Sequence, residues 1–263
     1  MTVDRVGFFT DTTLCIGCKA CEVACKEWNA VPEDPLGFTG NSYDNTMGLG
    51  ASTWRHVAFI ERPTSSGVNG GADGVRWLMS SDVCKHCTNA ACLEVCPTGA
   101  IHRTEFGTVV IQDDVCNGCG YCVTACPFGV IGKREIGDDG GMHKCTLCYD
   151  RLQDGLEPAC AKACPTDSIQ FGVLDELRER AGQRLDTLHE AGVADARLYG
   201  ANENDGVGGM GAFFLLLDEP EVYGLPPDPV VPTRNLRTIW GAAAAAAALL
   251  AAGIALACAG VAE

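Results

Sequence analysis

Basic residues are scarce in this chain of 263 residues: 19 Lys and Arg stand against 34 Asp and Glu, a formal net charge of −15. Such a deficit argues against a nucleic-acid partner, which would need a basic face. Met1 to Phe9 contains neither the apolar run of a leader nor a twin-arginine pair, so no export signal is expected there. A nucleophile–base arrangement, a phosphate-binding glycine motif and a Rossmann fingerprint are all missing, and no catalytic residue is expected on the chain. Charge is absent from Ile239 to Ala262. A helix of that length, at about 1.5 Å per residue, would measure roughly 36 Å and could cross a hydrocarbon core of about 30 Å. Thirteen alanines make the run weakly apolar, so the other reading is an alanine-rich helix docked on a partner. Trp240, preceded by Arg234 and Arg237, reads as an interfacial anchor.

Cysteine is the residue in excess. Sixteen of 17 fall into four groups of four: Cys15, Cys18, Cys21 and Cys25; Cys84, Cys87, Cys92 and Cys96; Cys116, Cys119, Cys122 and Cys126; Cys145, Cys148, Cys160 and Cys164. The third group, C-x2-C-x2-C-x3-C-P, has the ligand spacing of a bacterial-type [4Fe-4S] ferredoxin, in which the fourth cysteine serves the other cluster. Disulfides would suit an exported scaffold. Zinc sites use two C-x2-C pairs, whereas three groups here end in C-x3-C-P, at Pro97, Pro127 and Pro165. Iron–sulfur ligation is therefore expected, with four clusters. Lys19, Lys26, Lys85, His86, Lys144 and Lys162 lie beside or between ligands and can offset cluster charge, or can simply be solvated. Cys258, alone in the alanine run, is expected to be a packed, inert thiol.

Aligned on their first cysteine, three groups share a lead-in with an apolar pair (Phe8-Phe9, Trp77-Leu78, Val109-Val110), and three share Pro-x-x-x-Ile after the last cysteine, ending at Ile101, Ile131 and Ile169. The unit is half a ferredoxin, repeated. Ile101 to Ile111, broken at Phe106-Gly107, reads as a hairpin between the second and third units. By ligand exchange, Cys84, Cys87 and Cys92 join Cys126, and Cys116, Cys119 and Cys122 join Cys96. The outer units pair likewise: Cys15, Cys18 and Cys21 with Cys164, and Cys145, Cys148 and Cys160 with Cys25. Two departures mark this outer pair. Lys26 follows Cys25 where proline is usual, and the fourth unit is stretched to C-x2-C-x11-C-x3-C-P.

The expected fold is α+β, with two pseudo-symmetric ferredoxin-like modules made of four ligand units. Residues 1–29 and 133–172 form the outer module and 75–132 the inner one. Residues 30–74 are a surface insertion that contacts a partner, with one strand-like piece at Thr53–Ile60; packing explains its Trp54 and His56, and Trp28 beside it, better than chemistry does. Residues 173–237 are a C-terminal extension: an amphipathic helix with Leu174, Leu177, Ala181, Leu185 and Leu188 on one face, a buried strand at Ala212–Leu217, and an extended strap from Pro220 to Pro232. Residues 238–263 are the transmembrane helix.

Cys15-Ile-Gly-Cys-Lys-Ala-Cys-Glu-Val-Ala-Cys-Lys-Glu-Trp-Asn29, Thr53-Trp-Arg-His-Val57 and His143-Lys-Cys-Thr-Leu-Cys-Tyr-Asp-Arg151 resemble the iron–sulfur (beta) subunits of formate dehydrogenases, within the molybdopterin oxidoreductase (dimethyl sulfoxide reductase) superfamily. The cysteine plan alone is similar to that of other electron-transfer subunits of the superfamily. The resemblance implies four [4Fe-4S] clusters and a catalytic (alpha) subunit with a molybdenum or tungsten pterin site that oxidises formate. It also implies a cytochrome b (gamma) subunit in the membrane. The chain itself would relay electrons; a free-standing polyferredoxin carrier is the competing reading. The two arginines before the span would hold the cluster domain in the cytoplasm by the positive-inside rule. The resemblance implies the extracytoplasmic face, and that face is the expectation.

Overall fold

Both faces of the first strand, Val6–Asp11 (β1), are covered, which is why two adjacent phenylalanines, Phe8 and Phe9, can both be buried in it. The computed structural model describes residues 4–35, 37–40, 43–64, 74–137 and 139–259. Phe8 turns towards the cysteine-rich core, while Phe9 stacks on Phe213 with ring centroids 5.3 Å apart. The strand is one of the two central strands of a four-stranded sheet. Ile169–Val173 (β6), which follows the last ligand unit, pairs with β1 antiparallel. Ala212–Leu216 (β8) lies parallel to β1 on its other edge, and Arg197–Tyr199 (β7) closes the sheet. The two ends of the cysteine-bearing region thus meet in one sheet.

Four short helices follow ligand turns: Ala20–Trp28 (α1), Ala91–Glu94 (α2), Tyr121–Ala125 (α3) and Ala159–Lys162 (α5); Tyr149–Gln153 (α4) fills the stretched fourth unit. Ile101–Arg103 (β4) and Val109–Ile111 (β5) form the expected hairpin. Leu174–Glu190 (α6) covers the far face of the sheet, burying Leu174, Leu177, Ala181 and Leu188, with Leu185 partly covered.

The insertion is less peripheral than its composition implies. Its strand, Arg55–Thr64 (β2), forms a ten-residue antiparallel ladder with Gly74–Val83 (β3), the lead-in of the second unit. This hairpin carries Arg55 and Val57 into the core. It also lies against the first ligand turn, where a Cβ on Gly17 would meet Phe59 and Met79 at 2.7 Å. The partner-contact reading therefore falls on the remainder of 30–74, of which 36, 41–42 and 65–73 lie outside the described residues. Trp28, Trp54 and His56 are held by internal partners: Trp28 donates to Asp150 at 2.7 Å, Trp54 to the Ala51 carbonyl at 2.8 Å, and His56 pairs with Asp44 at 2.6 Å.

Two expectations for the C-terminal region are corrected. The strap opens with a helical turn, Pro220–Tyr223, because proline presets the first turn and Gly224 ends it in a left-handed conformation. Cys258 is exposed and not packed, because its helix, Leu236–Ala259 (α7), stands away from the rest of the chain. The span Leu236–Cys258 has a mean hydropathy of 2.1, and it is the only helix among the described residues long and apolar enough to cross a membrane. The expected last residues of the span, 260–263, lie outside the described residues.

Candidate metal centre

Each ligand unit begins with the same backbone device. The residue before the second cysteine is left-handed in all four: Gly17 at φ 68°, His86 at 44°, Gly118 at 69° and Leu147 at 59°. This conformation curls the C-x-x-C turn so that its thiols converge. It costs a non-glycine residue about 1–2 kcal/mol. Local bonds offset that cost: His86 Nδ1 accepts the Val109 N–H at 3.0 Å, and the Leu147 N–H donates to Cys145 Sγ at 3.2 Å.

The turns place the cysteines in four sets. Cys15, Cys18, Cys21 and Cys164 line one cavity together with Ser81, Thr166 and Ser168. Cys25, Cys145, Cys148 and Cys160 line a second with Asn29, Arg55 and Val83. In the inner module partly buried Cys87 lies near Cys84, Cys126 and Cys92, and Cys122 lies near Cys116, Cys119 and Cys96. The sets also adjoin one another. Cys21 is close enough to Cys160, Cys145 to Cys84 and Cys92 to Cys122 for their charges to interact.

Several of the thiols are held where ionisation is costly. Burial pushes Cys21 up to about 11, Cys92 up to about 12 and Cys122 up to about 11, and neighbouring cysteines add to the shift. Burial raises Cys25 and Cys145 further still. Such thiols become thiolates only with a cation to share the charge. Cys96 is the exception: its slight burial is outweighed by N–H donors of Ile101, Thr98 and Ala100 and by the Thr98 hydroxyl, which hold it below the usual thiol range.

Polar side chains supply compensating dipoles and charge. Asn29 reaches Cys25 Sγ at 3.8 Å and Cys148 Sγ at 3.7 Å. A threonine follows two of the Cys-Pro pairs and approaches its own cysteine, Thr98 to Cys96 at 3.7 Å and Thr166 to Cys164 at 3.8 Å. Of the basic residues beside ligands, Lys85 and Lys144 are buried, which excludes the solvated reading for them, and so is His86; Lys162 is exposed. Lys85 pairs with Asp82 and lies over the rings of Phe128 and Phe214, while Lys144 donates to the carbonyls of Val109 and Cys145. Lys19 and Lys26 instead pair with Asp44 and Asp34.

Sequence reasoning missed Arg55, Ser81 and Asn29 as site residues. Arg55 is separated from the nearest cysteine by about 29 residues, roughly 95 Å of extended chain, yet it donates to Cys160 Sγ at 3.3 Å.

This donor set fits iron–sulfur clusters. Among the described residues no three His, Cys, Asp or Glu side chains converge as a single metal ion would require, whereas zinc holds four thiolates at about 2.3 Å. Sulfurs spread around a cavity suit a multi-atom cluster. Arg55 Nε and His86 Nε2 are both buried without an acceptor among the described residues, as donors facing cluster sulfur would be.

Comparison with known proteins gives the same chemistry. Two family models, each described as a 4Fe-4S dicluster domain, match residues 14–100 and 75–174. The formate dehydrogenase iron-sulfur subunit of Haemophilus influenzae is 41% identical over 234 residues, covering 88% of this chain and 70% of that protein. The iron-sulfur subunit of the nitrate-inducible formate dehydrogenase of Escherichia coli is 41% identical, covering 87% and 75%. The B subunit of the anaerobic dimethyl sulfoxide reductase of E. coli is 37% identical over 68% of this chain and 78% of its own length.

Proposed function

This protein belongs to the family of formate dehydrogenase iron–sulfur subunits, and from that premise we propose that its sixteen grouped cysteines hold four [4Fe-4S] clusters in a line and relay electrons within a formate dehydrogenase complex. The clusters supply one-electron transfer when bound. The observation that carries the reading is the lining of the two outer cavities, each by three cysteines of one unit and a fourth from the far end of the module.

The ligand sets are those of the exchange rule: Cys15, Cys18, Cys21 and Cys164; Cys25, Cys145, Cys148 and Cys160; Cys84, Cys87, Cys92 and Cys126; Cys96, Cys116, Cys119 and Cys122. The repeated left-handed turn supports four units and a pseudo-symmetric pair of modules. The line has a buried second site (Cys25, Cys145, Cys148 and Cys160), a partly buried third and one exposed ligand at each end, Cys18 and Cys119. Those ends are the entry and exit. The protein's own residues hold the clusters, exclude water from the middle of the line and place buried positive charge beside it.

The upstream partner is a catalytic subunit with a molybdenum or tungsten pterin site that oxidises formate to carbon dioxide. The exposed span α7 is the membrane anchor, and a cytochrome b subunit is its counterpart in the bilayer. The cluster domain lies on the extracytoplasmic face, since a large domain carried across with a partner is placed regardless of nearby charge.

The test is metal analysis of the complex purified anaerobically. About sixteen irons per chain are expected, four for each cubane; half that number, or stoichiometric zinc, would refute the assignment.

A further inference from the structure

A hydrogen-bonded bridge joins the two outer cavities. Cys21 Sγ lies 3.2 Å from Ser81 Oγ; Arg55 Nη1 donates to Ser81 Oγ at 3.3 Å and to the Ser81 carbonyl at 3.2 Å; Arg55 Nη2 donates to Cys160 Sγ at 3.3 Å. Ser81 lines the first cavity and Arg55 the second. Arg55 is 2% exposed, its guanidinium stacks over Phe8 at 4.8 Å, and it has no carboxylate partner among its bonds. Its Nε is buried with no acceptor among the described residues.

A buried arginine without a carboxylate is costly unless other negative charge compensates it. Among the described residues its hydrogen bonds run to Ser81 and to sulfur, not to a carboxylate. Arg55 donates directly to Cys160 of the second cavity and reaches Cys21 of the first through Ser81, so its contacts extend to both cavities. Of the buried lysines near the line, Lys85 pairs with Asp82, and Lys144 bonds the carbonyls of Val109 and Cys145, with no sulfur partner among the described residues.

We propose that Arg55 is a positive charge shared by the two clusters of the outer module, setting both of their reduction potentials through one residue. The proposal rests on the ligand sets assigned above. Reduction adds one electron to a cluster that is already anionic, with no bond made or broken, the electron coming from formate oxidation on the catalytic subunit. A fixed cation between two such sites favours the reduced form of each.

The test is a redox titration of the anaerobically purified complex, followed by electron paramagnetic resonance, in wild type, Arg55→Gln, Arg55→Lys and Ser81→Ala. In Arg55→Gln, two of the four cluster signals should shift at least tenfold towards the oxidised form, which is about 59 mV for one electron. The two inner-module signals should stay in place, and Arg55→Lys should restore most of the shift. Full iron content with all four midpoints unchanged would overturn the proposal, as would an equal shift of all four. Should Arg55→Gln fail to assemble, Ser81→Ala decides. With the arginine kept, only the cluster of Cys21 should become harder to reduce, and an unmoved midpoint there would overturn the bridge. An iron count far from sixteen in wild type would instead strike the ligand sets.

Discussion

Gly118 and Gly120 sit two residues apart in the same ligand turn, both left-handed, at φ 69° and 78°. Replacing either with alanine imposes the same conformational strain, about 1–2 kcal/mol. Their surroundings differ. A Cβ on Gly120 would meet nothing within 4 Å, whereas one on Gly118 would lie 2.0 Å from the Gly140 carbonyl oxygen. That wall is backbone and cannot rotate away. Its loop is pinned by the Gly141 N–H on Asp139 at 3.0 Å, by Asp139 on His143 at 2.8 Å, and by the His143 N–H on the Gly132 carbonyl at 2.8 Å. Overpacking of this kind costs a further 1–3 kcal/mol or so, so Gly118→Ala should destabilise the turn by roughly 2–5 kcal/mol and Gly120→Ala by only about 1–2. The difference is roughly 5- to 150-fold in the opening equilibrium of the turn, at a decade per 1.4 kcal/mol. The assay is loss of visible cluster absorbance in graded guanidinium, under anaerobic conditions, with released iron counted. Gly118→Ala should lose its cluster at the lowest denaturant, Gly120→Ala next and wild type last. Coincident curves for the two variants would refute the reasoning, since strain alone would then account for both.

Cys25→Ser should alter the spectroscopic signal of the cluster held by Cys145, Cys148 and Cys160 and leave that of Cys15, Cys18 and Cys21 intact; the reverse would show that neighbours in sequence share a cubane. Truncation after Arg237 should retain every cluster but release the complex from membranes, as read by sedimentation, and protease added to intact spheroplasts should digest the full-length subunit. Unchanged sedimentation would assign the anchor to another subunit, and protection until lysis would put the domain in the cytoplasm. Asp44 is partly buried, which raises its carboxyl, but bonds from Lys19 and His56 outweigh burial and hold it below 3.8. Its contribution to stability is therefore present above the unfolded carboxylate value of about 3.9 and is lost as pH falls through the lower folded one. Hydrogen exchange at Arg55 to Phe59 should be faster in Asp44→Asn than in wild type at neutral pH, and the difference should vanish once the Asp44 carboxyl is protonated; a difference that persists in acid would mean that the charge is irrelevant.

What was legible in the sequence follows from how local the signal is. Ligand spacing and the Pro-x-x-x-Ile echo are contained within short stretches, and the hairpin from Ile101 to Ile111 is announced by alternation around Phe106-Gly107. The face of α6 was readable from period alone. The left-handed turn was half legible: Gly17 and Gly118 announce it, but His86 and Leu147 adopt it with no glycine, under constraint from bonds made elsewhere. The bridge through Ser81 and Arg55 was not legible, because it depends on the register of β2 against β3, which sets Arg55 opposite Val83 and Val57 opposite Ser81. Nor does spacing reveal which lysines are buried; Lys85 and Lys162 look alike beside their cysteines, and only one is enclosed.

The sheet that unites β1 with β6 and β8 has a consequence for synthesis. Ser168 Oγ bonds the Asp11 carbonyl across 157 residues of sequence, and Thr12 bonds the Leu215 carbonyl across 203. Contacts of such separation form late. On the proposed ligand sets, the inner module, contiguous from 75 to 132, would close and take up iron as the polypeptide leaves the ribosome, while the first four cysteines still wait for Cys145 to Cys164. Over that interval Cys15, Cys18, Cys21 and Cys25 are unprotected thiols, open to oxygen. Iron delivery should therefore proceed from the inner pair outwards, and damage by oxidants during growth should fall first on the outer pair.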